Sequence, residues 1–163
     1  MDAKQIEDFP NYSIDCEGTV YNLLNGRIRR ASMTREGAMK VTLYHDGLPY
    51  TRSLPLLVAK AFLWNDHNPE IFDTPIHLDN DLSHNHVKNL AWRPRWFAVK
   101  YQKQYWNVEF RNAKTMIQDT ETGLLYDTYI EPCQAFGILY MDIIESCNRG
   151  KDVFPTNKSF IDM

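Results

Sequence analysis

The stretch from Ile76 to Trp92 constrains the fold of this chain most strongly. It begins with an apolar segment that runs into His77, continues through a polar loop, and ends with Asn89 and Trp92. Short apolar segments bounded by Asn, Asp and Ser residues are typical of β-strands joined by a loop. The pattern therefore predicts a strand, a long loop and a second strand, followed by a helix from about Pro94.

Tight-turn signals divide residues 9–53 into short strands. Asn25-Gly26 and Asp46-Gly47 are dipeptides typical of two-residue β-hairpins. Residues 39–43 alternate apolar and polar side chains, as a strand with one buried face does. Ser53 then stands where a helix N-cap is favoured, so a helix is predicted to follow it.

The last third of the chain contains signals for a strand, a hairpin and two helices. Residues 105–111 alternate apolar and polar side chains, which predicts a strand. Residues 119–123 have the composition of a hairpin turn, and Thr128-x-x-Glu131 is a capping box that opens a helix. Gly137 ends that helix before a second one over residues 139–147. Two short helices around a glycine turn are typical of a helix-turn-helix.

The composition is that of an ordinary globular domain, with 44% hydrophobic and 24% charged residues. No apolar run approaches the ~20 residues of a membrane span. The first residues lack the basic and apolar segments of a signal peptide. Cys16, Cys133 and Cys147 are odd in number and far apart, which predicts free thiols in a reducing cytoplasm. We therefore expect no membrane association.

The net charge of −3 is unevenly distributed. Residues 115–163 carry 8 acidic and 3 basic side chains, whereas residues 1–114 carry 13 acidic and 15 basic ones. Ten of the basic side chains in residues 1–114 form two clusters in the sequence. These clusters either contact DNA phosphates or are solvated. The first cluster contains Arg27, Arg29, Arg30, Arg35 and Lys40, and the second contains Lys88, Arg93, Arg95, Lys100 and Lys103.

Four short blocks of sequence follow one another along the chain. They include Gly18-Thr19-Val20-Tyr21-Asn22, Leu57-Val58-Ala59-Lys60-Ala61-Phe62, His77-Leu78-Asp79-Asn80-Asp81 with Asn89-Leu90-x-Trp92, and Asp119 to Gly123 with Thr128-x-x-Glu131. Together they resemble the phage HNH homing endonuclease family over about residues 9 to 150. The blocks correspond to an amino-terminal module, the segment leading into the nuclease core, the core, and a carboxy-terminal DNA-binding helix-turn-helix.

The resemblance implies His77 as the general base and Asn89 as the residue that orients it. Members of the family cleave DNA with Mg²⁺ or Mn²⁺, and the positions expected to hold that ion are Ile76 and Ala98 here. Hydrocarbon side chains cannot coordinate a hard cation, so no metal is expected and the core is interpreted as degenerate. The remaining donors nearby, which could serve as substitute ligands, are Asp79, Asp81, His84 and Asn85.

The leading hypothesis is a phage or mobile-element protein that has lost cleavage and binds double-stranded DNA in the cytoplasm of a bacterial host. One alternative is an active, metal-dependent nicking endonuclease with His77 as its general base. Another is a phage protein that binds a host enzyme of transcription or defence, because an acidic surface can compete for a DNA-binding groove. The residues expected to contact DNA are Arg27, Arg29, Arg30, Arg93, Arg95 and Lys100.

The expected fold is α+β, with a small antiparallel sheet region, a degenerate ββα-metal core and a carboxy-terminal β-hairpin plus helix-turn-helix-like pair. The corresponding modules are residues 1–53, 54–104 and 105–163. In the second helix of the pair, Asp142 and Glu145 would repel DNA phosphates. A packed cap that does not read DNA is therefore an alternative for the last module.

Overall fold

In the computed structural model, which describes residues 2–163, the chain packs as two units with separate cores. The first unit contains residues 2–77 and 81–94, and the second contains residues 78–80 and 95–163. The module boundaries expected from the sequence, after residues 53 and 104, do not coincide with this division of the packing. The α+β class and the small antiparallel sheets are confirmed.

Two antiparallel sheets of the first unit follow the predicted turns. Asp46 and Gly47 both have positive φ, 50° and 77°, which is the backbone geometry of a two-residue hairpin. The four-stranded sheet has the order β1 (Lys4–Ile6), β2 (Phe9–Ile14), β3 (Val20–Asn22) and β4 (Ile28–Arg29). The three-stranded sheet has the order β5 (Ser32–Met33), β6 (Met39–His45) and β7 (Leu48–Ser53).

The turn between β2 and β3 is shaped by a buried carboxylate. Asp15 is 2% exposed and accepts hydrogen bonds from the backbone N–H groups of Glu17 (3.0 Å) and Thr19 (2.8 Å). The Tyr21 hydroxyl donates to its second oxygen at 2.9 Å, and this bond raises the pKa of Tyr21 above its ordinary value. Three donors therefore compensate the burial of one charged side chain.

The predicted strand–loop–strand is confirmed. β8 (Thr74–His77) pairs antiparallel with β9 (Leu90–Arg93), with His77 opposite Leu90 and Ile76 opposite Ala91. A short 3₁₀ turn, Val87–Asn89, leads into β9. Helix α1 (Leu54–Phe62) starts after Ser53 as predicted and buries Leu57 and Val58 in the same core as Leu90 and Trp92.

The second unit packs its helices and a three-stranded sheet around Phe110, Ile117, Ile143 and Phe160, all at most 1% exposed. The sheet has the order β11 (Leu125–Thr128), β10 (Lys114–Asp119) and β12 (Phe160–Asp162). The helices are α2 (Arg95–Gln104), α3 (Val108–Asn112), α4 (Ile130–Phe136) and α5 (Tyr140–Arg149). Gly137 ends α4 with φ of 62°, as predicted, because glycine adopts the left-handed conformation without strain.

The strand predicted over residues 105–111 is wrong, because this segment turns into helix α3. The Asn107 side-chain oxygen accepts hydrogen bonds from the N–H groups of Glu109 (2.8 Å) and Phe110 (3.4 Å), which caps the helix. Trp106 and Val108, expected on one buried face, are 67% and 58% exposed, and only Phe110 is buried. A side-chain cap outweighs an alternation of a few residues, which is too short to define a period.

The structure bears on the expectations about membrane spans and cysteines. No helix among residues 2–163 is long and apolar enough to cross a membrane. All three cysteines have free thiols. Burial raises the pKa of the Cys147 thiol to about 11 and raises that of the fully buried Cys133 thiol still further. These two thiols are therefore poor nucleophiles at neutral pH.

We expect Asn107→Ala to lower the free energy of unfolding by about 1 kcal/mol, because the first turn of α3 loses its cap acceptor. Asn107→Asp is the matched control. It keeps the acceptor oxygen, replaces the Nδ2 donor to the Tyr140 hydroxyl (2.8 Å) by a second oxygen, and adds a negative charge that a helix N-terminus favours. Urea unfolding followed by circular dichroism measures both variants. An alanine variant as stable as the wild type would contradict the capping role.

Candidate functional site

His77, at the end of β8, is held by an amide in the following loop. The His77 ring is 7% exposed, and its Nε2 lies 3.0 Å from Oδ1 of Asn85. Asn85 is 4% exposed and donates from Nδ2 to the Ser83 carbonyl at 3.0 Å, which directs its oxygen toward the ring. Nε2 of His77 therefore donates, and the lone pair of the neutral ring lies on Nδ1.

The loop around Asn85 is fixed from two sides within the first unit. On one side, the Asp81 carboxylate accepts bonds from the Ser83 N–H (2.9 Å) and hydroxyl (2.6 Å). On the other side, a Cβ added at Gly18 would lie 3.3 Å from the Cβ of Asn85. The Val87 N–H also donates to the Cys16 carbonyl at 2.9 Å. The β2–β3 turn therefore packs directly against the loop that positions His77.

Asn89 fixes the same loop at its other end. It is 8% exposed and donates from Nδ2 to the His84 carbonyl at 2.8 Å. The sequence assigned the orienting role to Asn89 and treated Asn85 only as a substitute metal ligand. The amide on Nε2 of His77 is Asn85, a pairing that residue spacing did not reveal because it depends on the conformation of the loop.

The positions where the resemblance places metal ligands carry hydrocarbon side chains in the structure. Ile76 lies in β8 directly before His77 and is 4% exposed. Ala98 lies in α2 of the second unit. Among the possible substitute ligands, Asp81 accepts hydrogen bonds from the Ser83 N–H and hydroxyl, and Asp79 adds to the effect of burial in raising the pKa of Tyr105.

Another group of metal-binding residue types lies in the first unit. Ligand atoms of Cys16, Glu17 and His86 lie within 4.8 Å of one another. However, Nδ1 of His86 accepts the Lys88 N–H at 2.9 Å, so Nε2 carries the proton of the neutral ring and faces the Glu17 carboxylate at 3.3 Å. A metal at Nε2 would need the lone pair that this proton occupies. The three side chains are therefore arranged for a hydrogen bond between His86 and Glu17.

The predicted DNA-binding residues differ in exposure. Arg27, Arg30, Arg95 and Lys100 are exposed. Arg29 is half-buried, with Nε donating to the Thr42 carbonyl at 2.8 Å. Arg93 is only 7% exposed and donates from a guanidinium nitrogen to the Trp92 carbonyl at 2.7 Å. The expectation of a surface contact at Arg93 therefore conflicts with its burial.

This chain is similar to HNH endonucleases in sequence and in fold. No family model matches the chain. The chain is 31% identical over 122 residues to an uncharacterized HNH endonuclease of Acanthamoeba polyphaga mimivirus, a match that covers 72% of this chain. It spans only 29% of that relative's length. This similarity indicates homology to an HNH endonuclease.

The fold has a solved counterpart. The HNH homing endonuclease I-HmuI, in a structure that describes its DNA binding and cleavage, matches with a TM-score of 0.55 and 19% identity. The match covers 100% of this chain and 98% of that chain. At this identity the match shows that the two chains have similar folds.

We expect His77 to carry its proton on Nε2 in the neutral state, because Asn85 presents an oxygen there. Nitrogen chemical shifts of the imidazole, measured by NMR at high pH, distinguish the two tautomers. Asn85→Ala should allow the other tautomer to become populated, whereas the exposed control Asn25→Ala should not change the signal. A wild-type ring protonated on Nδ1 would contradict the geometry.

Proposed function

We propose that this chain is an HNH-endonuclease-like protein that binds double-stranded DNA and has lost metal-dependent cleavage. The buried Ile76 side chain, directly before His77, carries the proposal. It occupies the position at which the resemblance places an oxygen ligand. The I-HmuI structure, which describes DNA binding and cleavage, supports DNA as the ligand.

Loss of the ligand at position 76 acts on a specific step of phosphodiester cleavage. In HNH chemistry a divalent ion stabilises the charge on the phosphate and on the leaving oxygen, while a base activates water. His77 keeps the imidazole that a general base requires, but a base without that ion leaves the developing charge uncompensated. Retention of the base and loss of the ligand favour binding over turnover.

The exposed cations of each unit provide separate binding groups for phosphates. Arg27 and Arg30 are exposed at β4 of the first unit, and Arg95, Lys100 and Lys103 are exposed on α2 of the second. All charged residues of α2 are basic. Arg93 is left out of the proposed DNA surface because it is buried. Phosphate binding by these cations would be sequence-independent and sensitive to salt.

Charge reversal of α2 tests the DNA surface. We expect Arg95→Glu/Lys100→Glu to weaken binding to mixed-sequence duplex DNA and to reduce the salt slope by roughly 2, because two side chains no longer neutralise phosphates. Fluorescence anisotropy across a salt series measures both quantities. Lys60→Glu/Arg111→Glu is the matched control, since both residues are exposed and lie outside the proposed DNA surface.

Equal weakening in the control pair would mean that only net charge matters and would remove α2 from the DNA surface. Wild-type protein that fails to bind DNA even at low salt would refute the DNA proposal itself. In that case a host protein becomes the remaining candidate partner.

Restoring the ligand at position 76 tests the loss of cleavage. We expect wild-type protein to leave supercoiled plasmid intact in Mg²⁺ or Mn²⁺, and Ile76→Asp, which returns an oxygen ligand directly before the base, to nick it. Adding His77→Ala to that variant should abolish the new activity, because the base is removed. Circular dichroism must accompany the assay, since a carboxylate at a buried position costs stability unless an ion compensates it.

A second candidate function is an active metal-dependent nicking endonuclease, and the fixed orientation of His77 supports it. Asn85, itself bonded to the Ser83 carbonyl, holds the imidazole in one orientation, as a general base requires. Nicking by the wild-type protein that disappears in His77→Ala would establish this function. The same result would refute the loss of cleavage.

A further inference from the structure

An exposed aromatic ring of α2 stacks on a second exposed ring from the carboxy-terminal part of the second unit. Trp96 is 54% exposed and Phe154 is 40% exposed, and their rings stack with centroids 5.7 Å apart at an interplanar angle of 27°. Large aromatic rings that remain in water are costly and often mark a binding surface. We call the rings of Trp96 and Phe154 the aromatic platform.

The platform is anchored to the core of the second unit. Phe97 is fully buried and contacts both rings, with centroids 5.7 Å from Trp96 and 5.7 Å from Phe154. Phe97 also stacks on Tyr101, which is 1% exposed. The two exposed rings are therefore held before any ligand arrives, so that binding orders few side chains.

Charge around the platform indicates the class of ligand. Lys100 Nζ lies 5.2 Å from the ring centroid of Trp96. Arg95 and Lys103 are exposed on the same helix, which has no acidic residue. A cation beside a π-surface, on a helix whose other charged residues are also basic, suits a ligand with a flat ring and a nearby anion. A nucleotide has both, since its base stacks and its phosphate is negative.

We propose that the aromatic platform binds an unpaired base of DNA, and that Lys100 turns from the Trp96 ring to the adjacent phosphate. This inference rests on the proposed DNA binding and adds to it a preference among DNA structures. Bases inside an intact duplex are stacked on each other, so the platform requires a bulge, a gap or a kinked step. The protein should therefore prefer duplex DNA with one unpaired nucleotide over the same duplex without it.

One nearby carboxylate opposes this binding. Burial and the neighbouring Glu145 raise the pKa of Asp142 above its ordinary value. The Lys100 cation acts in the opposite direction and lowers the pKa of Asp142, so the two side chains lie close together. A phosphate would compete with Asp142 for Lys100. Asp142→Asn should therefore strengthen binding of the bulged DNA.

The test compares a short duplex, the same duplex with a one-nucleotide bulge, and single-stranded DNA by fluorescence anisotropy. Base stacking on an aromatic ring contributes ~1–3 kcal/mol, so wild-type protein should prefer the bulged duplex at least about fivefold. Trp96→Ala should remove that preference and leave affinity for the intact duplex nearly unchanged. Trp96→Phe should retain part of it.

Trp64→Ala is the control, because Trp64 is 86% exposed and lies in the first unit. A second readout uses 2-aminopurine as the bulged base, whose fluorescence should be quenched by the wild-type protein and not by Trp96→Ala. Thermal unfolding confirms that each variant is folded.

The outcomes separate the two proposals. Wild-type protein that binds duplex DNA without preferring the bulge would refute the platform and leave DNA binding intact. Equal loss of affinity for all three DNAs in Trp96→Ala would also refute it, since stacking of an unpaired base would not be involved. Failure of the wild-type protein to bind any DNA would refute both proposals together.

Discussion

The burial of Asp15 is the constraint on which the candidate site depends. Its carboxylate gathers the N–H groups of Glu17 and Thr19 and the hydroxyl of Tyr21, and this fixes the β2–β3 turn. The turn then presents Gly18 to Asn85 and the Cys16 carbonyl to Val87. Through these neighbours a hydrogen-bonded carboxylate in one sheet determines the position of the amide on His77. Replacing Asp15 would remove the acceptor that holds these three donors together, and the effect would reach the ring of His77 through the turn and the loop.

Local signals predicted much of the fold. The hairpin at Asp46-Gly47 and the helix end at Gly137 depend on positive φ at single residues, which sequence reveals directly. The segment 105–111 was misassigned because the Asn107 cap, rather than an alternating pattern, decides its structure. The division of packing at residues 94 and 95 could not be read from the sequence, because it depends on which side chains meet in space. The sequence therefore predicts local turns and helix ends better than it predicts which side chains pack together.

The site was predicted in part. The resemblance proposed His77 as the general base, which stays a prediction, and the apolar residues at positions 76 and 98 are visible in the sequence itself. The hydrogen bond between Asn85 and His77 was missed, since the two residues are eight positions apart and only the folded loop brings them to 3.0 Å. The burial of Arg93 was also missed, because a cluster of basic residues in sequence does not show which of them face solvent. The stack of Trp96 on Phe154 joins residues 58 positions apart and leaves no local signature.

β8 and β9 form a sheet of only two strands, and this has a consequence for the rest of the first unit. A ribbon of only two strands is marginally stable by itself, and here it shares a core with α1 and with the amino-terminal sheet. The first fifty residues are therefore part of the architecture of the site and not a detachable attachment. Any segment that replaced residues 2–53 would therefore have to place a glycine opposite Asn85 and a backbone carbonyl opposite Val87 to hold the loop that follows His77.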